Sequence, residues 1–172
     1  MRSRCVERAL NQRRSSALGI LLPAGKARTL RRVQPFYEVT LSRPWHWGIA
    51  IVSATGAAVP ESLEESLVTA TSEALVIKVR HAQDIEADRF EGEWDWATAT
   101  IRVRSLTNFE DLDEPVAYEG VLRLPEGRMA IGDADSEVTL NDLNEATRVR
   151  VYASDQQAGA TDVRIDLAPR SR

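Results

Sequence analysis

Two runs of carboxylates carry most of the chemical potential of this chain. Asp84, Glu86, Asp88, Glu91, Glu93 and Asp95 form the first, and Glu110, Asp111, Asp113 and Glu114 the second. Crowded into loops, such charges set up a negative field resembling that of a phosphate chain. A field of this kind steers a basic partner and raises its association rate. Trp94, Trp96 and Phe109 flank the same runs, and buried aromatic side chains tend to dominate interface energies. Trp94, Trp96, Phe109, Glu110, Asp111, Asp113 and Glu114 therefore make a candidate protein-binding site. The competing reading is charge that serves only solubility.

Other groupings offer less. Asp133, Asp135 and Glu137 alternate as cation ligands do, but the calcium-loop pattern needs more oxygen ligands and its glycine. A turn whose aspartates accept backbone N–H bonds is the simpler account. Trp45-His46-Trp47 could be an aromatic recognition loop, or its tryptophans could cap the open end of a core. His46 and His81 stand 35 positions apart, and Cys5 lies in a basic tail, so no nucleophile–base pair emerges. There is no G-x-S-x-G, no Walker loop and no dinucleotide fingerprint. No catalytic residue, metal ligand or cofactor is assigned, and the expectation is a protein that is not an enzyme.

The elements that must hold these residues are strands. From Ala97 to Val103 apolar and polar residues alternate strictly, with Thr98, Thr100, Arg102 and Arg104 on one side and Ala97, Ala99, Ile101 and Val103 on the other. Side chains alternate across a strand, so this stretch describes a sheet with one face on a core. Similar stretches run over residues 37–42, 74–80, 116–124, 146–153 and 161–167, with shorter strands at 128–131 and 136–140, and the continuous apolar run Ile49-Ala50-Ile51-Val52 suits a strand covered on both faces. Pro60–Leu67 reads as a short helix, with proline in its first turn and early glutamates against the helix dipole. Strands this short, punctuated by Gly, Pro and Asp turns, predict an all-β fold. The expected architecture is an antiparallel β-sandwich, jelly-roll or immunoglobulin-like, of 8–9 short strands with one short helix.

Lys78, Arg80, Arg102, Arg104, Arg123, Arg148, Arg150 and Arg164 all take outward strand positions. Two readings compete. One is a cationic sheet face, with Trp94, Trp96 and Tyr152 in register, open to a charged partner or to a small ligand such as a carbohydrate. The other is cross-strand pairing with Glu38, Glu119, Asp162 and Asp166.

The totals bound the rest. The 172 residues are 43% hydrophobic, enough for one packed domain. No apolar run approaches a bilayer span, so no membrane partner is expected. A single cysteine excludes an internal disulfide and fits a cytoplasmic location. Residues 1–33 hold nine Lys/Arg and one Glu, a net of +8. The remainder holds 13 basic against 25 acidic residues, a net of −12, which restores the −4 of the whole chain. Residues 1–34 are therefore read as a basic, disordered extension, 35–168 as the domain and 169–172 as a tail. The basic arm at 1–33 gives an alternative function, attraction to nucleic-acid phosphates.

Several stretches, taken in order, resemble the competence protein J family of nuclease inhibitors. They are Phe36-Tyr37-Glu38-Val39-Thr40, the segment Glu61–Leu67 running into Leu75–Val79, Leu124-Pro125-Glu126-Gly127, Arg148-Val149-Arg150-Val151-Tyr152 and Thr161–Leu167. Where that family carries Trp-Thr-Asp before its helix, this chain has Ala58-Val59-Pro60. The resemblance implies a β domain that binds and restrains a nuclease. With the acidic loops, it leads to the expectation of an inhibitor or immunity-type partner of a basic enzyme.

Overall fold

The computed structural model describes residues 37–60, 65–84, 96–110, 113–154 and 159–170. Among these residues ten strands follow in chain order: β1 (Tyr37–Pro44), β2 (Ile49–Ala54), β3 (Val68–Ala70), β4 (Ala74–Lys78), β5 (Thr98–Ser105), β6 (Val116–Arg123), β7 (Met129–Gly132), β8 (Glu137–Leu140), β9 (Ala146–Ala153) and β10 (Asp162–Pro169). They form two five-stranded sheets. Sheet A runs β1-β5-β10-β9-β6, and sheet B runs β3-β4-β2-β7-β8. The fold is all-β, a sandwich of these two layers.

The alternation read in the sequence decides which residues fill the interior. On β5, Ala99, Ile101 and Val103 are buried while Arg102 stays exposed. Neighbouring strands add Val149, Val151, Val163 and Ile165 to the same core cluster. Sheet B contributes Val52, Leu75, Ile77, Met129 and Ile131. Each such side chain withdrawn from water contributes about 1.5–3 kcal/mol. The interior is thus an apolar double layer that fixes both sheets.

Three local expectations change. β10 lies between β5 and β9, antiparallel to β9 but parallel to β5. Side-chain period does not encode strand direction, so the mixed sheet could not be read from the alternation. The helix expected over Pro60–Leu67 is not seen at Glu65–Leu67, where the chain bends and enters β3; residues 61–64 lie outside the described residues. Three residues are too few to show a period, and β3 is therefore the tenth strand beyond the expected eight or nine. Finally, β2 is buried at Ala50, Val52 and Ala54 and only half-buried at Ile49, Ile51 and Ser53, so it is covered unequally on its two faces.

Candidate functional site

Residues 106–115 join β5 to β6, and their described part lies across the outer face of sheet A. Leu106 is buried, and its N–H donates to the Leu167 carbonyl at 2.8 Å, which starts the crossing. The Asn108 side-chain oxygen accepts the Phe109 N–H at 2.9 Å, turning the chain down onto the sheet. Phe109 then sits under two guanidinium groups, with Arg148 and Arg150 each 4.5 Å from its ring centroid. Its ring is almost wholly buried. Glu110 approaches Arg104 at 3.7 Å, and its carbonyl accepts from Arg150 at 3.3 Å. Glu114 meets Arg164 at 2.7 Å. Asp113 is exposed, and Trp94 and Asp111 lie outside the described residues.

Beneath this strap the arginines are paired across strands. One row of the ladder reads Glu38, Arg104, Asp166, Arg150, Glu119 from β1 to β6, alternating in sign at every step. Its centre is Asp166, fully buried, whose carboxylate takes two 2.7 Å hydrogen bonds from Nε and Nη2 of Arg104. That bidentate contact raises the Arg104 pKa above its ordinary value. Glu119 accepts from Arg150 at 2.9 Å and from Arg148 at 3.5 Å, and the Arg150 bond holds its carboxyl below the usual glutamate pKa. Arg102 reaches Glu38 at 3.2 Å. Lys78 and Arg80 belong to the other side of the molecule, on and just after β4. Arg102, Arg104, Arg148 and Arg150 therefore form a cross-strand ion-pair network on a partly covered face, and Arg164 pairs instead with Glu114 of the strap. Tyr152 is no stacking platform, because Arg164 lies over its ring at 3.9 Å.

A second grouping lies at the end of the sandwich where β1 arches to β2. Trp45, His46, Trp47 and Gly48 form a turn closed by the Gly48 N–H on the Trp45 carbonyl at 3.0 Å. Gly48 has φ of +63° and lies against the His81 ring, a conformation and a closeness that favour glycine there. The Trp45 carbonyl also accepts the Ala82 N–H at 3.0 Å, and the Ala82 carbonyl accepts from Ala97 at 2.9 Å. Backbone bonds thus lace the arch, the 81–84 turn and the entry to β5 into one platform.

The two tryptophans of the arch divide their roles. Trp45 is fully buried, its indole N–H donating to the Ala99 carbonyl at 3.0 Å, and it closes the core. Trp47 is 61% exposed. Exposed His46 meets Trp96, itself 41% exposed, edge to face at 5.4 Å. So three aromatic rings stand outside a rigid end of the domain. Trp96 was among the residues expected from sequence, whereas His46 and Trp47 were not placed in that set. The signal for them was present: two tryptophans in one four-residue turn cannot both enter the core.

The expected site residues do not gather in one place. Trp96 precedes β5 and Phe109 follows it, so they sit near opposite ends of a strand about 23 Å long. Asp133 pairs with Arg43 at 2.9 Å and accepts the Asp135 N–H at 3.0 Å and the Ser136 N–H at 3.2 Å. That is a turn with a buried ion pair. Among the described residues no three His, Cys, Asp or Glu side chains are grouped so as to hold a metal ion.

No family model matches the chain, and no curated protein matches it in sequence. Two solved structures are similar in fold. ComJ from Bacillus subtilis, described as an inhibitor of the DNA-degrading activity of NucA, is 12% identical, with 80% of this chain and 98% of that chain covered at a TM-score of 0.50. A protein described as crocagin biosynthetic gene J is 13% identical, over 78% of this chain and 96% of that one, at a TM-score of 0.46. The resemblance read from the sequence to the competence protein J family thus has a counterpart in the fold. No helix among the described residues is long and apolar enough to cross a membrane.

Proposed function

We propose that this protein is a non-catalytic binding domain, an inhibitor or immunity-type partner of a basic enzyme such as a nuclease. The observation that carries the reading is the end platform, where Trp47, His46 and Trp96 project from a backbone-laced turn. Exposed tryptophan on a rigid support is what a protein interface uses as an anchor, since ordering it on binding costs little entropy. The excess of acid outside residues 1–33 gives the sign of the partner, and a field of that sign speeds its approach. The ComJ-like fold agrees with this reading. Of the residues expected from sequence, Trp96 belongs to this platform, while Phe109, Glu110 and Glu114 serve first to hold the strap on sheet A. On this account the protein acts in the cytoplasm.

The test is capture of a partner by the full chain from a lysate of the source organism, followed by elution with salt. A basic protein retained at low salt and released at high salt is the expected result. Retention of nucleic acid alone would instead favour a role for residues 1–33, which lie outside the described residues, and would overturn the proposal.

A further inference from the structure

Among the described residues, β1 and β6 are the outer strands of sheet A, and β3 and β8 those of sheet B. Three of these four edges are short or interrupted. β3 has three residues and β8 has four. β6 shifts register between Val116 and Tyr118, and its Arg123 N–H is already given to the Ser72 carbonyl at 2.7 Å. Short, bulged or covered edges resist pairing with another chain. β1 differs: it runs eight residues from Tyr37 to Pro44 in unbroken register with β5.

The ladder fixes which backbone groups of β1 are open. On β5, Thr100 and Leu106 donate to Thr161 and Leu167 on the β10 side, so the alternate residues Ile101 and Val103 face β1. Opposite residues of an antiparallel pair turn toward each other together or away together. Val39 and Leu41 therefore bond β5, while the N–H and C=O groups of Glu38, Thr40 and Ser42 point away from the sheet. Among the described residues none of these groups has a backbone partner beyond the ladder. The side chains of Tyr37, Val39 and Leu41 pack against the core yet stay half-buried, because no further strand covers their flank.

We infer that β1 pairs with β1 of a second copy of this chain, antiparallel about a two-fold axis at Thr40. A two-fold contact must be self-complementary, and this register is. Thr40 meets its own symmetry mate. Glu38 and Ser42 stand opposite each other on either side of the axis, where the hydroxyl can donate to the carboxylate. Val39 and Leu41 oppose each other on the inner face and cover the apolar flank that one copy leaves half open. Every open N–H and C=O of Glu38, Thr40 and Ser42 finds a partner in this register. Setting Glu38 beside its own mate would instead bring like charges together. Charge near the axis is balanced within each copy, since Glu38 pairs with Arg102 at 3.2 Å. The arch follows Pro44 directly, so antiparallel pairing sends the two arches to opposite ends of the joint and presents Trp47 and Trp96 twice.

The test is the mass of the full chain by light scattering from about 1 µM to about 1 mM, with amide hydrogen exchange read by NMR at both ends of that range. The mass is expected to rise with concentration from 19.1 kDa toward twice that value. The amides of Glu38, Thr40 and Ser42 become protected over the same range. Thr40→Glu places a carboxylate beside Arg102 within the chain but sets two carboxylates face to face at the axis. It raises the dimer Kd roughly fivefold. Thr40→Pro removes a donor that β5 does not use and holds the mass at that of one chain. Val121→Thr, on the other edge strand of sheet A, leaves pairing unchanged. Three results would each overturn the assignment: a single-chain mass throughout, a dimer whose Glu38, Thr40 and Ser42 amides exchange as freely as in dilute solution, or a Thr40→Glu protein that pairs as well as wild type.

Discussion

The strap over sheet A and the aromatic end of the sandwich make opposite use of similar residue types. On sheet A, Phe109 is clamped under Arg148 and Arg150, and Glu110 and Glu114 are matched to Arg104 and Arg164. At the arch, Trp47 is mostly exposed and Trp96 partly exposed against His46, beside a turn laced by backbone bonds. An aromatic ring beside charges is therefore not enough to mark an interface. What separates the two regions is how much of each ring the chain itself covers. The strap is a completed intramolecular interface, and the arch has the composition of one still open.

The largest effect that would break this comparison is at Asp166. Asp166→Ala removes the carboxylate from a buried bidentate pair and leaves Arg104 to the more distant Glu110 carboxylate under the strap. The expected loss is about 3–5 kcal/mol in urea unfolding, the range for breaking a buried pair. Replacing Asp166 and Arg104 together by Leu and Met restores much of it, because an apolar pair avoids the desolvation cost. If Asp166→Ala unfolds at the same urea concentration as wild type, the network is not what holds the strap.

The acidic loop residues sharpen the contrast at the next scale. Glu110→Gln or Glu114→Gln should cost about 1 kcal/mol of stability, since each leaves a half-buried arginine with one anion fewer. Asp113→Asn, at an exposed position, should stay within about 0.5 kcal/mol. Thermal unfolding of the three variants side by side checks this ranking. Trp47→Ala should be equally neutral for stability, whereas Trp45→Ala should cost about 3–5 kcal/mol through the cavity it leaves and the lost bond to Ala99.

The smallest effect is one of pH. The Glu119 carboxyl is held below its ordinary pKa by its bond from Arg150. A depressed carboxylate contributes stability that is complete above the unfolded glutamate pKa, about 4.3. It is lost as pH falls through the lower folded value. Glu119 is 45% exposed, so solvent screening keeps the contribution below about 1 kcal/mol. Wild type and Glu119→Gln should differ by that amount at neutral pH and converge in acid. A difference that grows toward low pH would contradict the pairing.

Much of the fold was legible because alternation alone sorts inward from outward residues. Ala99, Ile101 and Val103 on β5, and Val163 and Ile165 on β10, are buried as their spacing requires. Most strands among the described residues announced themselves in this way, β2 did so as a continuous apolar run, and β3 did not because Val68–Ala70 is too short to repeat. The cross-strand pairing of Arg102, Arg104 and Arg150 was one of two readings, and only the register could choose it. Register depends on which strands are neighbours, which a single strand's pattern does not contain. The strap was harder still. Nothing in Asn108-Phe109-Glu110 says whether its aromatic ring and its acid face a partner or fold back on the chain's own arginines. The arch was legible in part, since two tryptophans in a turn were noticed, but which one enters the core depends on the positive φ at Gly48 and the way it orients the turn.

The most direct test of the central claim is the affinity of the captured partner for the full chain with Trp47 and Trp96 both replaced by alanine, measured by isothermal titration calorimetry beside wild type. The account predicts a fold of unchanged stability and a loss of at least about 2 kcal/mol, roughly thirtyfold in Kd, as truncated aromatic anchors give. Equal affinity for the double variant and wild type would show that the partner binds elsewhere and that the arch is not the interface.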